Sequence, residues 1–233
     1  MEIIDLKKPN IRIVKNFLSE EECNNMLRVK NFSEELWSLD YNTNYPKPDQ
    51  VAGNLQYSVS QWDGMCINIT HEGFAERYNL NPNYYEFLGE KIKFHMSEKF
   101  QIKNLRKEQY LINRWREGRE QTPHIDYFYE EELGHDYEKL AKNNISRDFL
   151  HNFSKMFKTK HYSALVYLNN DYEGGELYFP DYNFSIKPEV GTLICLKGDE
   201  DSIHGVRKIE SGTRYTLSLF LEDLGYKKNV AVE

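Results

Sequence analysis

The chain has 233 residues, a net charge of −7, 39% hydrophobic and 29% charged residues, which is enough apolar material for one good core. The acidic balance argues against a nucleic-acid or anionic-membrane surface, and no stretch approaches the ~18 consecutive apolar residues of a membrane span. Three widely spaced cysteines (Cys23, Cys66, Cys195) form no zinc or disulfide framework, and MEIIDLKKPN is no cleavable leader, so the expectation is a cytoplasmic protein with no membrane partner.

In chain order, Ile11 to Lys15 reads as a strand leading into a helix. Ser19 is the expected N-cap, with Glu22 three residues on to close a capping box and Leu18 and Cys23 at the hydrophobic-staple positions. Residues 40–54 (DYNTNYPKPDQVAGN) hold the signals of a loop. Tyr84, Leu88, Ile92 and Met96 recur every fourth residue and predict a second helix over 84–100. After Glu108 strand signals dominate. Strands are expected near 109–115, 124–128, 161–169, 176–179, 183–186, 191–196, 203–206 and 214–221. Turns at Gly174-Gly175, Pro180-Asp181, Pro188, Lys197-Gly198-Asp199 and Ser211-Gly212 separate them. Eight short strands suggest a jelly roll, two sheets facing each other around a pocket. The charged stretch 129–160 has no strand pattern and reads as a partly helical insertion. One domain over 1–233 is expected, with 1–107 as supporting region and 108–222 as the core.

His124 and Asp126 lie two apart, so on a strand they leave the same face and can converge on one ion. His204 could complete the set from another strand. Two imidazoles and one carboxylate on one face of a metal leave the remaining positions open, an arrangement suited to non-haem Fe(II). Arg214 begins RYTLSLFL, where Arg214, Thr216 and Ser218 share one strand face. A guanidinium there offers two parallel hydrogen bonds to a carboxylate, and Thr216 can add a third.

From Gln109 to Leu221 the chain resembles the catalytic core of prolyl 4-hydroxylases and related Fe(II)/2-oxoglutarate oxygenases. The matching pieces are NRWREGREQTPHID, SALVYLNNDYEGGELYF and VGTLICLKGDEDSIHGVRKIESGTRYTLSLF, with IRIVKNFLSEEEC resembling the family's opening strand and helix. The resemblance implies an α+β fold: a double-stranded β-helix of eight core strands with N-terminal helices packed on its major sheet. It implies Fe(II) on His124, Asp126 and His204, and the distal carboxylate of 2-oxoglutarate on Arg214 with Thr216 beside it. Tyr167 matches a tyrosine that binds the cosubstrate in relatives, and Trp115 stands where relatives usually carry a tyrosine. Ascorbate is the further reductant such enzymes suggest. The implied reaction is hydroxylation of a prolyl residue in a peptide or protein, with release of succinate and CO₂. The same chemistry on a small molecule or another side chain is the alternative. LINRW-x-x-G before His-x-Asp also resembles AlkB-type nucleic-acid demethylases, but Phe220 replaces their second arginine. Tyr41, Tyr45, Trp62, Tyr127 and Tyr129 are the aromatic residues placed to line a peptide groove.

Overall fold

The computed structural model describes residues 1–31, 37, 66–68, 81–124, 126, 162–198 and 202–225. The strands are β1 (Glu2–Asp5), β2 (Ile11–Lys15), β3 (Cys66–Asn68), β4 (Leu105–Arg116), β5 (Gln121–His124), β6 (Tyr162–Tyr167), β7 (Tyr172–Gly174), β8 (Leu177–Phe179), β9 (Phe184–Ile186), β10 (Leu193–Lys197), β11 (His204–Val206) and β12 (Ile209–Asp223). The helices are α1 (Glu20–Met26) and α2 (Pro82–Phe100). Among the described residues the strands form a larger sheet, β1-β2-β10-β6-β12-β4-β3 with β7 on β12, and a smaller sheet, β5-β11-β8-β9. This is the expected jelly roll.

Alternation along β12 makes the layers. Tyr215, Leu217, Leu219 and Leu221 face the helices, where they meet Ile112, Ala164, Val166 and the α2 stripe Leu88, Ile92 and Met96. The opposite face of the larger sheet presents Ile11, Ile13, Tyr167, Ile194 and Leu196 to Leu177 and Phe179 of the smaller sheet. Arg214, Thr216 and Ser218 alternate with the helix-facing set, so they enter the space between the sheets. All three are buried.

The helix ends follow their local signals. The Ser19 hydroxyl accepts from the Glu22 amide, and the Glu22 carboxylate accepts from the Ser19 amide, the expected capping box. Asn81 caps α2, and Pro82 occupies its first turn, where a missing N–H costs nothing. Among the described residues no helix is long and apolar enough to cross a membrane.

Several boundaries differ from expectation. β5 runs Gln121–His124 rather than 124–128, so His124 ends the strand and Asp126 lies in a bend beyond it. The cause is cross-strand pairing: β11 sets His204 opposite His124 and Val206 opposite Gln121, so the strand starts three residues earlier than expected. β12 begins at Ile209, five residues early, because its first part pairs with β7; Gly212, expected in a turn, sits inside the strand at φ +78°. β1, β3 and β7 were not expected, being short and, in β1, mostly exposed. Gly174 and Gly175, at φ +71° and +69°, do not close a hairpin. They pass the chain from β7 on the larger sheet to β8 in the smaller one. The loop expected at 40–54, the insertion at 129–160 and Tyr41, Tyr45, Trp62, Tyr127 and Tyr129 lie outside the described residues.

Candidate metal and cosubstrate site

His124 at the end of β5, Asp126 in the following bend and His204 at the start of β11 meet. One ligand atom from each lies within 4.8 Å of the others. His124 Nε2 is 3.4 Å from Asp126 Oδ1, and His204 Nε2 is 3.7 Å from Asp126 Oδ2. The two imidazole centroids are 4.5 Å apart. Metal bonds of ~2.1 Å at right angles put neighbouring donor atoms ~3 Å apart, so only a small contraction separates this trio from a ligand set. His204 Nδ1 lies 2.8 Å from the Ser202 carbonyl. That contact calls for a proton on Nδ1 and leaves the Nε2 lone pair toward Asp126.

Charge favours the same use. Burial drives the His204 pKa down, the neighbouring His124 adds to this, and the result is about 4, so the imidazole is neutral at physiological pH. Burial alone would raise Asp126. His204, His124 and the Ser163 hydroxyl outweigh it and hold the carboxyl well below its ordinary value. Two imidazoles and one carboxylate fit a divalent cation that must keep open positions.

A second polar cluster surrounds Arg214. The guanidinium is buried, donates from Nη1 to the Gly175 carbonyl at 2.8 Å, and has no carboxylate partner among the described residues. Its Cζ lies 5.0 Å from the Trp115 ring centroid and 5.5 Å from that of Tyr167. Trp115 therefore offers the guanidinium its indole face. Arg214 Nε, the Tyr167 hydroxyl and the Thr216 hydroxyl are all buried without a hydrogen-bond partner among the described residues. Unpaired buried donors around a buried cation are costly. A carboxylate satisfies them together, so these residues fit the distal end of 2-oxoglutarate.

Sequence reading missed some of this pocket. Asn113, opposite Thr216 in the β4–β12 register, donates to the Ser218 hydroxyl at 2.6 Å. Its signal was available, two residues before Trp115 on the same strand face. Ser163 and the Ser202 carbonyl carried no local signal, because their value lies in what the fold brings near them.

The 2OG-Fe(II) oxygenase superfamily model matches residues 110–222. The matched stretch, just under half of the chain, carries His124, Asp126, His204 and Arg214. That stretch is similar to the core of Fe(II)/2-oxoglutarate-dependent oxygenases. Prolyl 3-hydroxylase 2 of Homo sapiens is 38% identical over 64 residues, 25% of this chain and 9% of that protein. Prolyl 3-hydroxylase 1 of Gallus gallus is 31% identical over an equal length. The chain thus spans under a tenth of these curated relatives. In fold, it is similar to the viral collagen prolyl hydroxylase of Paramecium Bursaria Chlorella virus-1 in its 2OG complex. That likeness has a TM-score of 0.55 and 16% identity, covering 92% of this chain and 96% of that one. A Trichoplax adhaerens prolyl hydroxylase, solved with a hypoxia inducible factor peptide, gives a TM-score of 0.56 at 15% identity, over 91% and 83%.

Proposed function

We propose that this oxygenase hydroxylates prolyl residues in a peptide or protein, with His124, Asp126 and His204 as iron ligands. Arg214, Thr216 and Tyr167 bind the cosubstrate in this reading, and Trp115 braces Arg214. The carrying observation is the convergence of the two histidines and Asp126 within 4.8 Å, between the same two sheets as an unpaired buried arginine. Bound iron and 2-oxoglutarate supply O₂ activation coupled to oxidative decarboxylation, which yields succinate and CO₂. The chain's own residues do the rest. Asp126 and the two imidazoles would hold the ion, Arg214 would fix the far end of the diacid, and the apolar walls Leu177 and Phe179 would keep water out.

The prolyl assignment draws on the relatives' names. The resemblance of the motifs suggests position 4 of the ring, whereas the curated relatives named above are 3-hydroxylases. Incubating the protein with Fe(II), 2-oxoglutarate, ascorbate and proline-rich peptides, followed by mass spectrometry and amino-acid analysis, tests both points. The expected product gains one oxygen on proline, and hydrolysis separates 3- from 4-hydroxyproline. Succinate release without any prolyl product across such peptides would move the substrate to a small molecule or another side chain. Buried free thiols at Cys23, Cys66 and Cys195 suit a reducing compartment, and the cytoplasm is the one we propose.

A further inference from the structure

One more buried tyrosine packs beside Arg214, on the far side of Gly175. Tyr172, on β7, is 3% exposed and packs with Trp115, Val206 and Ile209. Gly175 separates its ring from the guanidinium arm. A Cβ built on Gly175 would stand 3.2 Å from Tyr172 Cε2 and 3.5 Å from Arg214 Cδ. Lys187 fixes the ring from another side, with Nζ 5.1 Å from the centroid and donating to the Tyr172 carbonyl at 2.8 Å. The ring is thus held firmly, yet its hydroxyl is buried and has no hydrogen-bond partner.

Arg214 Nε and the hydroxyls of Tyr167 and Thr216 are in the same condition. A buried hydroxyl without a partner is destabilising, and Tyr usually finds one when buried. Burial keeps the Tyr172 phenol protonated, with Arg214 pulling weakly the other way, so it remains a donor. An ionised carboxylate offers about four lone-pair sites. We infer that Tyr172 is a second phenolic donor to the distal carboxylate of 2-oxoglutarate, gripping it together with Tyr167, Thr216 and Arg214. This rests on the assignment of Arg214 proposed above.

The test uses the full chain loaded with Mn(II), which binds without turnover, and calorimetric titration of 2-oxoglutarate. Tyr172→Phe should raise the Kd for 2-oxoglutarate roughly tenfold or more, since a hydrogen bond to a charged group is lost. Succinate, which keeps the distal carboxylate, should suffer similarly. Oxalate, which lacks it, and Mn(II) itself should bind as in the wild type. The ligand-free Tm of Tyr172→Phe should equal or exceed that of the wild type, because the unpaired hydroxyl is gone. An unchanged Kd for 2-oxoglutarate, or an equal loss for oxalate, overturns the inference. Arg214→Ala separates the two levels. If it weakens 2-oxoglutarate while Tyr172→Phe does not, only the role of Tyr172 falls. If neither does, the pocket assignment falls with it.

Discussion

The carbonyl of Ser202 takes up one nitrogen of His204 and so decides what the other can do. With Nδ1 engaged and the ring too buried to charge readily, Nε2 is left as a lone-pair donor aimed at Asp126. His204→Ala or His124→Ala should therefore abolish Fe(II)-dependent conversion of 2-oxoglutarate to succinate, and Mn(II) titration should show the lost affinity. Retained turnover in both variants would refute the ligand assignment. Arg214→Ala should act differently. It removes the anchor of the far carboxylate, so the KM for 2-oxoglutarate should rise by roughly a hundredfold while metal binding persists. Equal KM values would count against that role. The trio that converges and the buried Arg214 were singled out from residue type and spacing, although the basis for Asp126 was wrong in detail. It reaches the site from a bend, not from a shared strand face. Tyr172 and Ser163 were illegible, since nothing in DYEGG or HYSAL says what the fold will bring beside a buried hydroxyl.

Elements were legible where periodicity was strong. The alternation of RYTLSLFL and the four-residue stripe of α2 survive in the fold, whereas β1 and β3 are fixed by their neighbours more than by their own residues. β1 is tied to β2 by Arg12, which donates to both carboxylate oxygens of Asp5 at 2.8 Å. That bond holds the Asp5 carboxyl below its ordinary 3.8, with burial opposing and Lys99 assisting. A depressed folded pKa contributes stability above the unfolded value, lost as pH falls through the lowered one. Asp5→Asn should accordingly flatten the fall of Tm below about pH 4; an unaltered acid limb would show that the pair contributes nothing. On α2, Gly89 leaves room for Tyr110. An added Cβ would fall 1.8 Å from the Tyr110 hydroxyl and 2.7 Å from Lys107 Cδ. Gly89→Ala should destabilise by about 1–3 kcal/mol despite alanine's better helix propensity. Adding Tyr110→Phe should recover part of the loss in denaturant unfolding.

At the scale of the molecule, the helices and the jelly roll share one core. Leu88, Ile92 and Met96 of α2 cover Ile112, Val166, Leu217 and Leu219 of the larger sheet. Residues 105–233 alone would expose that whole face to water. They should give no cooperative melting transition, and a sharp one would split the chain into two folding units. The class of fold was legible because eight strand signals with short turns leave few other solutions. The course of the chain between sheets was not, since Gly174-Gly175 looks the same in a hairpin and in a crossing. That crossing has a further effect. It delivers the Gly175 carbonyl to Arg214, so the anchor for the diacid stands where the two sheets are stitched together. On the proposed reading, 2-oxoglutarate bound at Arg214 would hold that seam closed by mass action. Limited proteolysis should then slow when 2-oxoglutarate is added, and equal cleavage with and without it would break the link between the pocket and the seam.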